Sequence, residues 1–129
     1  MHFLLDTHIF LFFINGDLQI PQKTINLINN PNLKKYFSIV SIWEIVIKMN
    51  IGKLKLRDDI SSIYALLHKY NIEILQPDEH DFKVYSTLPL IHKDPFDRLN
   101  ISQAIAKDLT VISDDQYIRN YPNLKLLNT

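Results

Sequence analysis

What most constrains this chain is a repeated unit: a short apolar, β-branched or aromatic run that stops at an acid or a serine, followed by apolar residues at helical spacing. Residues 2–6 are the first such run. It ends on Asp6, with Thr7 as a possible helix N-cap and an apolar helix closed by Gly16. Residues 36–40 are the second, and Ser41 starts a helix with Ile42, Ile45, Val46 and Met49 on one face. Residues 72–75, 110–113 and 124–127 read as further strands. Helices are predicted over 21–29, with Pro21 in the first turn, around Ile60, Ile63, Tyr64 and Leu67, over 78–85, and from Asp94-Pro95 through Ile101, Ala104 and Ile105. A short turn or helix over 116–120 precedes the last strand. Such alternation implies an α/β fold with a central, mostly parallel sheet of four to five strands flanked by helices, because each crossover returns the chain to the same end of the sheet. Ligands gather at the carboxyl ends of strands in such sheets.

With 129 residues, 47% of them hydrophobic, the chain holds one core, so residues 1–129 are read as a single domain. The absence of cysteine excludes disulfides, thiolate metal sites and thiol nucleophiles, and fits a reducing cytoplasm. Basic and acidic residues balance at 14 each, so any phosphate-binding surface must be local. His2, His8, His68, His80 and His92 show no ligand-like spacing, which argues against a histidine zinc site. The apolar start is interrupted by Asp6 and His8 and reads as core, not as a signal peptide. No apolar run approaches the ~20 residues of a membrane-spanning helix, so a soluble, cytoplasmic protein with no membrane partner is expected.

The acids Asp6, Glu44, Asp97 and Asp115 fall at strand ends or in the first turn of a helix, which lets them converge. Mg²⁺ and Mn²⁺ take hard oxygen ligands, and a phosphodiesterase built on them needs carboxylates and no protein nucleophile. Each acid also has a structural reading. Asp6 can cap the helix that follows it. Ser41-Ile42-Trp43-Glu44 matches a capping box, and Glu44 is spaced to pair with Lys48. Asp94-Pro95-Phe96-Asp97 offers an N-cap acid and a second acid in the first turn. Asp97 shares a helical stripe with Ile101 and Ala104 and is preferred for the metal site, with Asp94 as its rival. In Ser113-Asp114-Asp115, Asp115 is preferred, with Asp114 or Ser113 assisting.

Together these segments resemble the PIN-domain ribonucleases, in particular the compact toxins of bacterial type II (VapBC-like) toxin–antitoxin pairs. The resemblance spans the chain: Leu4-Leu5-Asp6-Thr7-His8; Ser41-Ile42-Trp43-Glu44-Ile45 with Lys48 and Gly52-Lys53-Leu54; His92-Lys93-Asp94-Pro95-Phe96-Asp97-Arg98-Leu99; and the Ser113-Asp114-Asp115 strand end. It implies a Mg²⁺ or Mn²⁺ site formed by Asp6, Glu44, Asp97 and Asp115, with Thr7 supporting Asp6 through its hydroxyl. It also implies an RNA substrate and a homodimer neutralised by an antitoxin. Lys48, Lys53, Lys55 and Arg57 are candidates for a phosphate path, and Arg98 stands next to the acids in sequence; Lys48 and Arg98 are the substrate-binding candidates. Phe10, Phe12 and Phe13 give the first helix more apolar surface than a one-sided helix needs, which suits either the protein's own sheet or a partner.

Two other readings compete. A phosphorylated receiver-like domain would carry paired acids after the first strand, where this chain has Asp6-Thr7-His8. A catalytically silent RNA- or protein-binding module of the same fold would keep the acids without turnover.

Overall fold

The computed structural model describes residues 1–17 and 19–128. Its elements run β1 (His2–Leu5), α1 (Thr7–Ile14), α2 (Gln22–Asn29), β2 (Lys34–Ser38), α3 (Ile39–Asn50), α4 (Ser61–Lys69), β3 (Ile72–Leu75), α5 (Glu79–Thr87), α6 (Pro95–Ala106), β4 (Thr110–Ser113), a 3₁₀ turn (Ile118–Asn120) and β5 (Lys125–Asn128). The five strands form one sheet in the order β3-β2-β1-β4-β5, and every pairing is parallel. The strand order reverses between β1 and β4, so helices leave that seam in opposite directions and open a crevice at its carboxyl end.

β1 lies at the centre and is covered on both faces, which is why it reads as an unbroken apolar run. Phe3 and Leu5 face a core shared with Phe10, Ile28, Phe37, Ile63, Leu67 and Ile112. Leu4 faces the opposite side with Ala104, Leu109 and Val111, next to a cluster of Ile101, Ile118 and Tyr121. The surplus phenylalanines of α1 belong to the protein's own core: Phe10 is buried with its ring 4.7 Å from that of Phe37, and the half-buried Phe13 meets Tyr70 edge-on at 4.8 Å. Among the described residues, no helix is long and apolar enough to cross a membrane.

Two features depart from the pattern expected of the sequence. β2 lies two residues earlier than the β-branched run suggested, because Ser38 caps α3 by accepting a bond from the Val40 amide at 3.1 Å, and Ile39 and Val40 are already helical. Lys35 is buried in that strand. Its ammonium donates to the carbonyls of Ile28 (2.6 Å), Asn30 (3.0 Å) and Tyr70 (3.0 Å), satisfying oxygens that the ends of α2 and α4 leave without helical partners.

Candidate metal centre at the carboxyl ends of β1 and β4

Asp6 follows β1 directly and is the N-cap of α1: Oδ1 accepts from the His8 amide at 3.0 Å, and Oδ2 accepts from the Ser113 hydroxyl at 2.5 Å. Its own amide donates to Ile112 at 3.0 Å, pinning it to β4. Burial pushes this carboxyl up, but the hydrogen bonds from His8 and Ser113 outweigh burial and hold it below the ordinary carboxylate range. Asp6 is therefore a buried, ionised acid.

Glu44 is likewise buried. Oε1 accepts from the Thr7 hydroxyl and Oε2 from the Lys48 ammonium, each at 2.9 Å. This corrects two expectations. Thr7 supports Glu44 and not Asp6, since as first residue of α1 it faces α3, and Asp6 takes its hydroxyl partner from β4 instead. Ser41 forms no capping box with Glu44, because the helix begins earlier; its hydroxyl accepts from Asn100 at 3.2 Å and ties α3 to α6.

Asp94 and Asp97 divide the two tasks that the sequence left open between them. Asp94 caps α6, accepting from the amides of Phe96 (2.8 Å) and Asp97 (3.1 Å). That frees the Asp97 side chain for the crevice. Burial, followed by the negative charges of Asp6, Asp94 and Glu44, pushes Asp97 up to about 7, with His92 opposing the rise. On the far side of the seam Asp114 is exposed, whereas Asp115 turns inward: Oδ1 accepts from the Tyr117 amide at 2.8 Å and Oδ2 lies 3.1 Å from His92 Nε2. Ser113 links the two strand ends, since its hydroxyl oxygen donates to Asp6 and accepts from the Asp115 amide at 3.0 Å.

The basic groups differ in where they point. Lys48 sits at the site, bound to Glu44. Arg98 does not present its guanidinium to the carboxylates. It is buried and donates to the carbonyls of Pro89 (2.9 Å), His92 (3.3 Å) and Leu88 (3.3 Å), with the Tyr85 ring 5.0 Å away, so it braces the segment leading into α6. Two histidines given no role from spacing adjoin the acids. His8 Nδ1 lies 3.7 Å from Asp6, whose hydrogen bond raises the imidazole above its ordinary value although burial opposes it. His92 Nε2 lies 3.1 Å from both Asp97 Oδ2 and Asp115 Oδ2. The available signal for His92 was its position two residues ahead of the Asp94 cap, which places it beside the first turn that carries Asp97.

The donor set suits a hard divalent cation. Its carboxylate oxygens are those that Mg²⁺ and Mn²⁺ prefer, and the raised midpoint of Asp97 means that, without a cation, a proton relieves the mutual repulsion. Among the described residues, His92, Asp97 and Asp115 offer ligand atoms within 4.8 Å of one another, and Asp6 and Glu44 are close enough for their charges to act on Asp97.

A family model described as PIN domain matches residues 3–124. Among solved structures, the chain is similar to VapBC2 from Rickettsia felis bound to a DNA fragment from their promoter, at 22% identity and a TM-score of 0.77, covering 99% of this chain and 98% of that one. It is similar to DNA-bound VapBC from Salmonella typhimurium at 17% identity and a TM-score of 0.70, covering 99% and 98%. It is also similar to VapBC-1 from nontypeable Haemophilus influenzae at 19% identity and a TM-score of 0.71, again covering 99% and 98%. At these identities the likeness is one of fold. The comparison with curated proteins gives no match.

Proposed function

The chain belongs to the PIN domain family, and from that premise we propose that it is a Mg²⁺- or Mn²⁺-dependent endoribonuclease, the toxin of a toxin–antitoxin pair acting in the cytoplasm. What supports this reading is Asp97, which stands with His92 and Asp115 within 4.8 Å and is raised to about 7 by its burial and by the charges of Asp6, Asp94 and Glu44. A structural ion-pair network would match those charges with permanent cations, whereas among the described residues the lysine paired with them is Lys48, on Glu44, and the other close partners are the imidazoles of His8 and His92.

Asp6, Glu44, Asp97 and Asp115 hold the cation. When bound, it makes a hydrolytic water more acidic and neutralises charge on the scissile phosphodiester. Ser113 and Thr7 fix the carboxylates of Asp6 and Glu44 by donating to them. Asp97 has to lose its proton before it ligates, so metal loading strengthens as pH rises through about 7. Lys48, part-exposed at the rim, is the phosphate contact. Arg98 keeps a bracing role.

The homodimer and the neutralising antitoxin belong to the same proposal. They are supported by an apolar groove of about 270 Å³ lined by Val40, Trp43, Phe82, Tyr85, Pro95, Phe96 and Leu99, in which Trp43 is 61% exposed and Phe82 52%. An antitoxin partner is supported by the structures of similar fold, among them a toxin–antitoxin complex from Klebsiella pneumoniae and a member of the VapBC family of toxin–antitoxin systems from Mycobacterium tuberculosis.

The test is cleavage of a mixed RNA pool by purified protein with Mg²⁺, Mn²⁺ or EDTA, alongside Asp6→Asn and Asp97→Asn. Metal-dependent cutting that both variants lose is expected. Cutting that persists in EDTA or in both variants would overturn the proposal, and a folded protein that binds RNA without cutting it would make the chain a binding module.

A further inference from the structure

His92 is the residue at this centre whose place the carboxylate chemistry alone does not explain. Its ring is fixed at both nitrogens. Nδ1 accepts a hydrogen bond from the Asp94 amide at 3.1 Å, so the ring proton resides on Nε2, the nitrogen that lies 3.1 Å from Asp97 Oδ2 and 3.1 Å from Asp115 Oδ2. The main chain is fixed as well. The His92 amide donates to the Tyr121 hydroxyl at 2.6 Å, its carbonyl accepts from Arg98 at 3.3 Å, and Tyr117 stands edge-on to the ring at 6.0 Å.

His92 Nε2, Asp97 and Asp115 offer three ligand atoms within 4.8 Å of one another, the spacing of a metal site. The tautomer argues against the histidine as a ligand. For Nε2 to bind a cation its proton would have to move to Nδ1, where it would face the Asp94 N–H, donor against donor.

We propose that His92 is a positioning residue of the metal centre: its Nε2–H donates to Asp115, carried by the end of β4, while the same nitrogen stands 3.1 Å from Asp97, carried by α6, so that one ring yokes the two carboxylates in place for the cation without ligating it. The inference rests on the carboxylate-centre reading. It assigns Arg98, Tyr121 and the Asp94 amide to a second layer whose work is to hold one imidazole, and so explains why Arg98 is buried among carbonyls one residue from Asp97. Donors to ligating carboxylates typically contribute about 10–100-fold in metal affinity.

The test is calorimetric titration of the purified full chain with Mn²⁺ and separately with Ni²⁺, for wild type, His92→Ala, His92→Phe and His92→Gln, with circular dichroism as the control for folding. Phe keeps the ring and removes the donor, which keeps the test open if the alanine variant does not fold; Gln restores an N–H at similar reach. A yoke predicts that Ala and Phe weaken Mn²⁺ and Ni²⁺ by the same factor, about 10–100-fold, and that Gln recovers most of it. A purely packing role would lower the metal-free melting temperature without changing affinity, and that result overturns the proposal. So does a loss for Ni²⁺ far exceeding that for Mn²⁺, the mark of a lost nitrogen ligand. A wild type that binds neither ion removes the metal-centre reading, and the yoke with it.

Discussion

Replacing Asp97 with Asn should make the metal-free protein more stable, and by an amount that depends on pH. The folded protein holds the Asp97 carboxyl at about 7 against 3.8 for an ordinary aspartate. Between those values the folded state binds more protons than the unfolded one, so stability falls as pH rises and the full penalty is present above about 7. At about 1.4 kcal/mol for each tenfold in proton affinity, the gap of roughly three decades amounts to about 4 kcal/mol at pH 8, and to little at pH 4. Asn keeps the shape and removes the charge, and the α6 cap is untouched because Asp94 supplies it. Thermal unfolding in EDTA should show Asp97→Asn melting higher than wild type at pH 8, by an amount on the order of 10 °C, with the two curves converging near pH 4. Mn²⁺ at 100 times Kd should narrow the gap at pH 8 by about 2.7 kcal/mol, since wild type alone gains binding energy, and reversing the order takes a concentration well above about 1,000 times Kd. An Asn variant that is less stable than wild type at pH 8 in EDTA, or a difference that does not change with pH, would refute the electrostatic account.

Ser113→Ala removes a donor to the buried Asp6 carboxylate and should lower stability by about 1–3 kcal/mol at pH 7. Because Asp6 is held below its ordinary value, that loss should shrink as pH falls below about 4, where the carboxyl protonates in the variant and then in wild type; chemical denaturation at pH 7 and pH 3 measures it. Lys35→Met removes a donor from the carbonyls of Ile28, Asn30 and Tyr70, of which Asn30 keeps the Leu33 amide, and should cost about 2–4 kcal/mol in urea unfolding while leaving Mn²⁺ affinity unchanged, since Lys35 serves the ends of α2 and α4 and not the crevice. Trp43→Glu should leave the monomer's stability within about 0.5 kcal/mol and abolish dimerisation in light scattering, because the indole is largely exposed on the apolar groove; a dimer that survives would place the interface elsewhere.

Asp6 and the α6 start were legible in sequence because local rules and tertiary structure agree there. An apolar run ending in an acid is a buried strand with a cap, and Asp-Pro-X-Asp is a helix start with an acid to spare. β2 was misplaced by two residues because the rules conflict: Lys34-Lys35 looks like a loop, and only three carbonyls brought from α2 and α4 make a buried ammonium tolerable. Ser38 and Ser41 are chemically equivalent candidates for one cap, and only the strand register distinguishes them. The family resemblance implied that Thr7 supports Asp6, while its bond crosses 37 residues to Glu44, a partner that no local spacing shows. His92 has local partners in the Asp94 amide and Asp97, but its pairing with Asp115 spans 23 residues and appears only once the seam is formed.

The hydroxyl of Ser113 reaches Asp6 across 107 residues of chain, and the Asp6 amide meets Ile112 across the same seam. The two sides of the crevice are therefore far apart along the chain. A growing chain possesses Asp6 and Glu44 well before it possesses β4, and until β4 docks nothing joins Asp6 to Ser113 or His92 to Asp115. The connectivity makes the centre conditional on length: a chain cut off before β4 has Asp6 and Glu44 but neither Ser113 nor Asp115 to complete the seam.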